Sequence, residues 1–347
     1  MKDARVLVVD DSPAMRALFC DVLERTPQIT VVGSAANADE ARSQIELLRP
    51  NVMTLDVEMP GMNGIDFLAE IMATDPMPVV MLSSRTQAGT QVALRAYELG
   101  AVECFHKPLK ATLEEFAETI SHLGKVVLTA ANSNVKHRRR HAAPRAAPAP
   151  RGEAPPVWTR QLIALGVSMG GIDALPRLLE HFPEDGPPTV IVMPGEAEMI
   201  EAFVARLDAE LHCQVMLATD GMRLEPGTIH IAADPDHHVV FEPAPFPHLR
   251  MVLRDPLDGA RPSATLLFGT IARAGVPAVG AVLTGMGSDG ARGLRLMRDV
   301  GCRTFAEEPD SATVRQAPRA AIEAGAVETV LPIDALGAAI MASCHEA

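Results

Sequence analysis

Aromatic side chains are scarce in this sequence: they make up 3% of it, with a single tryptophan and a single tyrosine. Any core must therefore be aliphatic and methionine-rich, which 17 methionines and an apolar fraction of 48% allow. Positive charge is also in short supply. With 31 Lys and Arg against 44 Asp and Glu, the formal net charge is −13, which argues against a nucleic-acid binder as a whole. The five cysteines (Cys20, Cys104, Cys213, Cys302, Cys344) are scattered. They have neither metal-ligand spacing nor the pattern of a disulfide framework, as expected for a reducing cytoplasm. No apolar run approaches the roughly 20 residues of a membrane span, so no membrane insertion is expected. Met1-Lys2-Asp3-Ala4-Arg5 leads straight into a strand pattern, with no signal peptide in view.

What is present is alternation. The 347 residues suffice for two ordinary domains. Over residues 5–123, strands are predicted near 5–10, 29–33, 51–56, 78–82 and 101–105, with helices over 14–25, 38–48, 64–73, 88–99 and 111–122. Pro60-Gly61-Met62-Asn63-Gly64 reads as a loop. Short apolar strands separated by helices imply a buried parallel sheet. Polar residues stand where these runs stop: Asp10-Asp11, Asp56, Ser83-Ser84 and Lys107-Pro108. Ligands bind such sheets at the carboxyl ends of the strands. Three carboxylates, a hydroxyl and an ammonium should therefore meet in one crevice, suited to a divalent cation and a transferred phosphoryl group. A pair of acids at one strand end is also what a helix N-cap looks like; five such groups in order at successive strand ends are harder to explain that way.

From about residue 130 to 156 the chain reads AANSNVKHRRRHAAPRAAPAPRGEAPP, with almost no large apolar residue. Such a run cannot bury enough surface to fold, and is expected to be a tether. The predicted boundaries are 1–124, a Pro/Ala-rich basic linker over 125–156, and a second domain over 157–347. That domain again alternates strand and helix. Leu162–Val167, Thr189–Met193, Ala278–Thr284 and a run near 302–306 read as strands. Thr228–Ala232 and Val239–Phe241 are expected to pair as a hairpin around Asp234-Pro235-Asp236. Gly166-Val167-Ser168-Met169-Gly170-Gly171 joins a strand to a helix, a turn that exposes its serine at the top of a sheet. Thr284-Gly285-Met286-Gly287-Ser288-Asp289-Gly290 places an acid just past another strand.

On Asp10-Asp11, Leu55-Asp56, Met59 to Gly64, Ser83 and Lys107-Pro108, residues 1–123 resemble a response-regulator receiver domain. The resemblance implies a flavodoxin-like fold with Asp56 as phosphoacceptor. Mg²⁺ would be held by Asp10, Asp11, Asp56 and the backbone carbonyl of Glu58. Ser83 and Lys107 would engage the phosphoryl oxygens. Cys104 stands where the family has an aromatic residue. On Gly166 to Gly171, Thr284 to Gly290, Arg261-Pro262-Ser263 and Ala317-Pro318-Arg319, residues 157–343 resemble the catalytic domain of chemotaxis protein-glutamate methylesterases. This implies a Rossmann-like domain with a small antiparallel hairpin, making the whole chain α/β with two doubly wound parallel sheets.

The implied activity is hydrolysis of methyl esters on receptor glutamates and deamidation of receptor glutamines by a Ser-His-Asp triad, with no cofactor in the esterase domain. Ser168 would be the nucleophile, Asp289 the orienting acid, and the backbone N–H groups of Met169 and Met286 the oxyanion donors. The implied partners are a sensor histidine kinase and the cytoplasmic domains of methyl-accepting chemoreceptors. The implied setting is a cytoplasmic monomer that binds no nucleic acid. A gap-free register puts Pro194 at the position of the family's triad histidine. Met169, Thr265 and Arg315-Gln316-Ala317 also depart from the family's pattern. His181, His212, His230, His237 and His238 are expected to be structural or solvent-facing. Two expectations follow: a phosphorylation-gated hydrolase, or a signalling protein that keeps the fold and binds or competes for phosphoryl groups without turnover.

Overall fold

A computed structural model of the chain describes residues 3–83, 87–107, 113–135 and 162–345. Ser84, Pro108, the linker sequence from residue 136 to 156 and the last residues Glu346 and Ala347 lie outside the described residues. The chain divides into two units, Met1–Arg138 and Arg139–Ala347.

In the first unit, β1 (Ala4–Val9), β2 (Ile29–Ala35), β3 (Val52–Asp56), β4 (Val79–Ser83) and β5 (Glu103–His106) form one sheet in the order β2-β1-β3-β4-β5. Every pairing is parallel. The strands are apolar on both faces because helices cover both, and Leu7, Val9, Met53, Leu55, Phe67 and Met81 build one core. The order reverses between β1 and β3, so a crevice opens at their carboxyl ends, where Asp10, Asp11 and Asp56 follow. Local chemistry starts the helices there. Ser12 caps α1 (Pro13–Glu24), with proline in its first turn. Asn63 caps α3 (Gly64–Thr74). Gly61 has φ +82°, and a Cβ at Gly64 would collide with the Asp56 carbonyl, which explains both glycines of the predicted loop.

The predicted end of the last receiver helix needs correction. α5 runs Leu113–Ala130, so the expected boundary at 124/125 falls inside a helix. Leu123, Val126, Val127 and Ala130 are buried at helical spacing, and this apolar stripe carries the helix onward.

The second unit holds a seven-stranded sheet ordered β14-β13-β12-β6-β7-β9-β8, all parallel. Its strands are β6 (Leu162–Gly166), β7 (Thr189–Val192), β8 (Gln214–Leu217), β9 (Thr228–Ala232), β12 (Ala278–Val282), β13 (Arg303–Glu307) and β14 (Thr329–Leu331). Helices α6 (Gly171–Leu179), α7 (Ala197–Glu210), α8 (Ala264–Ala274), α9 (Ala291–Asp299), α10 (Gln316–Glu323) and α11 (Ile333–Ser343) accompany it. A small antiparallel pair is present, but not the expected one. β9 lies inside the main sheet between β7 and β8, whereas β10 (His238–Glu242) pairs with β11 (His248–Val252). The reason is burial: from Ile229 to Ala232 β9 is buried, and a parallel neighbour on each edge also satisfies its backbone.

Candidate functional site

At the head of the first sheet, Asp10 and Asp56 are almost wholly buried and Asp11 is exposed beside them. One carboxylate oxygen from each lies within 4.8 Å of the others. The Lys107 ammonium reaches across from the end of β5, 2.8 Å from Asp10 Oδ2 and 2.7 Å from Asp56 Oδ2. The Ser12 N–H donates to Asp10 Oδ1 at 2.9 Å and the Glu58 N–H to Asp56 Oδ1 at 3.2 Å. Burial pushes the Asp56 carboxyl above its usual range; Lys107 pulls it back and the Asp10 charge adds to the rise. Burial also opposes charge on Lys107, yet its bonds to Asp10 and Asp56 hold its pKa above the ordinary value. An all-oxygen, doubly buried donor set of this size fits a hard cation such as Mg²⁺.

Ser83 ends β4 in the same crevice and is 2% exposed, with its Oγ 3.1 Å from His106 Nδ1. Asp10, Asp11, Asp56, Ser83 and Lys107 are thus brought together. His106 was missed: it precedes Lys107, so nothing in its spacing marks it until β4 and β5 are placed side by side. Cys104, in the position expected to be aromatic, donates its backbone N–H at 3.0 Å to the hydroxyl of Tyr97 from α4 (Gln87–Leu99). That hydroxyl also donates to Glu103 Oε1.

In the second unit, Ser168 follows β6 and stands before α6. Gly170, at φ +88°, makes the turn. The Ser168 N–H donates to the Thr284 carbonyl at 3.1 Å, tying this turn to the end of β12. The Met286 N–H donates to Ser168 Oγ at 3.1 Å. A Cβ at Gly285 would lie 2.5 Å from that hydroxyl, so the hydroxyl's space depends on glycine there. Ser168, Val192, Pro194, Ala264, Met286 and Asp289 line a cleft of about 50 Å³. The predicted serine, acid and one oxyanion donor therefore share one site. The Met169 carbonyl accepts a 2.9 Å bond from Thr284 Oγ1, which ties the residue after Ser168 to the same corner.

Asp289 does not meet an imidazole. Its Oδ1 accepts from Ser263 Oγ (2.6 Å) and the Thr265 N–H (3.0 Å), and its Oδ2 from the Ala264 N–H (2.7 Å). It sits on the N-terminus of α8, where a carboxylate is favoured by the free N–H groups and the helix dipole. Among the described residues, the hydrogen-bond partner of Ser168 Oγ is the Met286 N–H, and no histidine lines the cleft.

The histidines lie elsewhere. His181 is beside Glu180, His212 is exposed, and His237 binds Asp234 at 2.9 Å. His230 is buried in β9 against Thr228 and Met222, and burial lowers its pKa to about 4. His238 is of the structural kind. It opens β10 and is wholly buried, its Nδ1 accepting the Ser263 N–H at 3.1 Å and its Nε2 3.1 Å from the Asp255 carbonyl. Those contacts fix it as a prop behind Ser263.

Residues 163–340 match the model of the CheB methylesterase family, and residues 6–120 match that of response regulator receiver domains. The chain belongs to the CheB methylesterase family. The CheB-type relatives include a protein-glutamate methylesterase/protein-glutamine glutaminase 1 of Caulobacter vibrioides, 44% identical over 98% of this chain and 98% of its own length. A protein of the same description from Agrobacterium fabrum is 42% identical over 97% of this chain and 96% of its own. Among solved structures, the CheB methylesterase catalytic domain of Thermotoga maritima superposes with a TM-score of 0.51 at 24% identity, covering 53% of this chain and 98% of that one. That likeness bears on the fold of the second unit alone. This chain thus carries a receiver-type and a CheB methylesterase-type domain, and among the described residues no helix is long and apolar enough to cross a membrane.

Proposed function

We propose that this chain is a phosphorylation-regulated protein-glutamate methylesterase and protein-glutamine deamidase of chemoreceptors. The observation that carries the reading is the Ser168 hydroxyl, held at 3.1 Å by the Met286 N–H in a cleft shared with Asp289. Ser168 Oγ would attack the ester or amide carbonyl, with the Met286 N–H stabilising the charge that builds on the carbonyl oxygen; methanol or ammonia would leave with the serine's proton, and water would then hydrolyse the acyl-serine to the glutamate. In the receiver, Asp10, Asp11, Asp56 and the Glu58 carbonyl would hold Mg²⁺, which supplies charge neutralisation. Asp56 would take the phosphoryl group from a sensor histidine kinase. Lys107 already touches two carboxylates of that site and would pair with the phosphoryl oxygens. Ser83 would donate its hydroxyl, leaving His106. Regulation follows if the phosphorylated state favours a released hydrolase. The assignment carries a cytoplasmic, monomeric protein with a Pro/Ala-rich tether between its domains.

One observation favours a second reading. A serine hydroxyl is a poor nucleophile without a neighbouring base, and the wall beside Ser168 is made by Val192 and Pro194 rather than an imidazole. On this reading the triad histidine is replaced, and the protein signals by receptor binding or phosphoryl competition. Methanol release from methylated receptor, with and without acetyl phosphate, decides between them. Release above a Ser168→Ala control, faster with acetyl phosphate, supports the hydrolase. Equal release from wild type and control removes it and leaves the second reading.

A further inference from the structure

Behind the serine cleft lies a buried acid that the catalytic scheme does not use. Glu307 ends β13 and is 1% exposed. Its Oε2 accepts the Thr284 N–H at 2.8 Å. Thr284 is the junction of the site. Its carbonyl accepts the Ser168 N–H at 3.1 Å, its Oγ1 donates to the Met169 carbonyl at 2.9 Å, and that same Oγ1 accepts the Val314 N–H at 2.9 Å. Two residues further on, the Met286 N–H holds the Ser168 hydroxyl. The Glu307 carboxylate is thus bonded to the residue that fixes both the nucleophile's turn and the segment carrying its N–H donor.

We propose that Glu307 is a positioning residue whose ionised carboxylate holds the Thr284 corner in register, and that protonation of Glu307 loosens that corner and slows chemistry at Ser168. The consequence for chemistry rests on the hydrolase reading above; the hold on Thr284 does not.

The surroundings make this a titrating contact near neutrality. From α6, Arg177 and Asp173 act on Glu307, and from α11, Asp334. Arg177 is already engaged, 2.8 and 2.5 Å from Asp334 Oδ1 and 3.6 Å from Asp173. One guanidinium therefore serves three acids. β14 carries no charge, Arg319 and Glu323 of α10 are exposed, and Arg295 of α9 pairs with Asp299. Burial, with Asp173 and Asp334 adding to it, raises the Glu307 pKa to about 7 against the pull of the Thr284 N–H and Arg177. A charge-assisted bond is roughly twice as strong as a neutral one, so uptake of a proton weakens the hold on Thr284 without abolishing it.

The test uses the full chain. The amide resonance of Thr284 is followed by NMR from pH 5.5 to 8.5, in parallel with the rate at which a fluorophosphonate probe labels Ser168. The expected result is a Thr284 shift with its midpoint near 7 and labelling about fivefold faster on the alkaline side, in line with the loss of charge assistance. In Glu307→Gln, which keeps an acceptor but does not titrate, both profiles should be flat, with labelling at the wild-type acid-side rate. Absence of a Thr284 transition near neutrality overturns the proposal. So does a transition that persists in Glu307→Gln, or a Thr284 transition with unchanged labelling. A Ser168 that never labels overturns the consequence for chemistry and leaves the hold on Thr284 to the NMR titration. Failure of methanol release with both transitions intact removes the hydrolase reading but leaves Glu307 in this role.

Discussion

Replacing Asp289 tests what that carboxylate does. In Asp289→Ala the Ala264 and Thr265 N–H groups and the Ser263 hydroxyl lose an acceptor at 2.7, 3.0 and 2.6 Å. Ala264 and Thr265 are 3% and 5% exposed, so water does not replace the carboxylate easily. A buried donor left without a partner costs about 1–3 kcal/mol, and a lost cap about 1 kcal/mol. The Ser263 hydroxyl already accepts the Leu266 N–H at 3.4 Å and does not replace the carboxylate for the Ala264 and Thr265 N–H groups. Because Asp289 itself is only half-buried, the lower end applies, and the sum is about 3 kcal/mol. For a domain of this size, 1 kcal/mol moves the melting temperature by roughly 2–4 °C, which gives a fall of about 6–12 °C. Calorimetry of the full chain measures it, with Ser168→Ala, expected within about 0.5 kcal/mol of wild type, as the control. Asp289→Asn keeps one acceptor and should lie between the two. A melting temperature for Asp289→Ala within 2 °C of wild type, by the same scale, refutes a capping role.

Other outcomes follow from the same structure. With a folded pKa of about 7 against an ordinary 4.5, Glu307 keeps its proton where the unfolded chain has lost it. Stability therefore falls as pH rises from 4.5 to 7, by about 3 kcal/mol in all, and Glu307→Gln should be the more stable protein at pH 8 in urea titrations. His230 runs the other way. Its pKa falls from 6.5 to about 4, so below pH 6.5 the unfolded state gains a proton that the buried ring refuses. The fold loses up to about 3 kcal/mol by pH 4, and the difference in urea midpoint between wild type and His230→Gln should narrow or reverse on acidification. Pro194→His, beside Ser168 in the cleft wall, should raise methanol release at least tenfold if the rest of the site is competent, since a missing triad base costs on the order of 10⁴ or more. No gain at Pro194, followed by none at Val192→His on the same wall, would place the deficit beyond the base. Gly285→Ala should abolish labelling of Ser168 by a fluorophosphonate, because its Cβ would stand 2.5 Å from the hydroxyl; unchanged labelling would refute the close approach.

The receiver was legible because its signals are local. A strand of apolar residues ends, an acid follows, and a parallel sheet collects such ends at one edge. Asp10, Asp56, Ser83 and Lys107 needed nothing more. The serine turn was legible for the same reason. The α5 boundary was misplaced because burial of Val126, Val127 and Ala130 depends on what the helix packs against. The hairpin was assigned the wrong partner because β9 and β10 are neighbours in sequence, while backbone pairing and two-sided burial draw β9 into the large sheet.

By itself, the sequence determined the two α/β units, the polar crevice at the head of the first sheet and the Ser168 turn, since each is set by short-range periodicity and by residues at strand ends. Tertiary structure alone decided that Asp289 rests on the α8 N-terminus, that His238 props Ser263, and that Glu307 grips Thr284. Those contacts join residues 23 to 25 positions apart. Spacing carries no signal for such pairs; only packed strands and helices bring their polar atoms within bonding distance and shut water out.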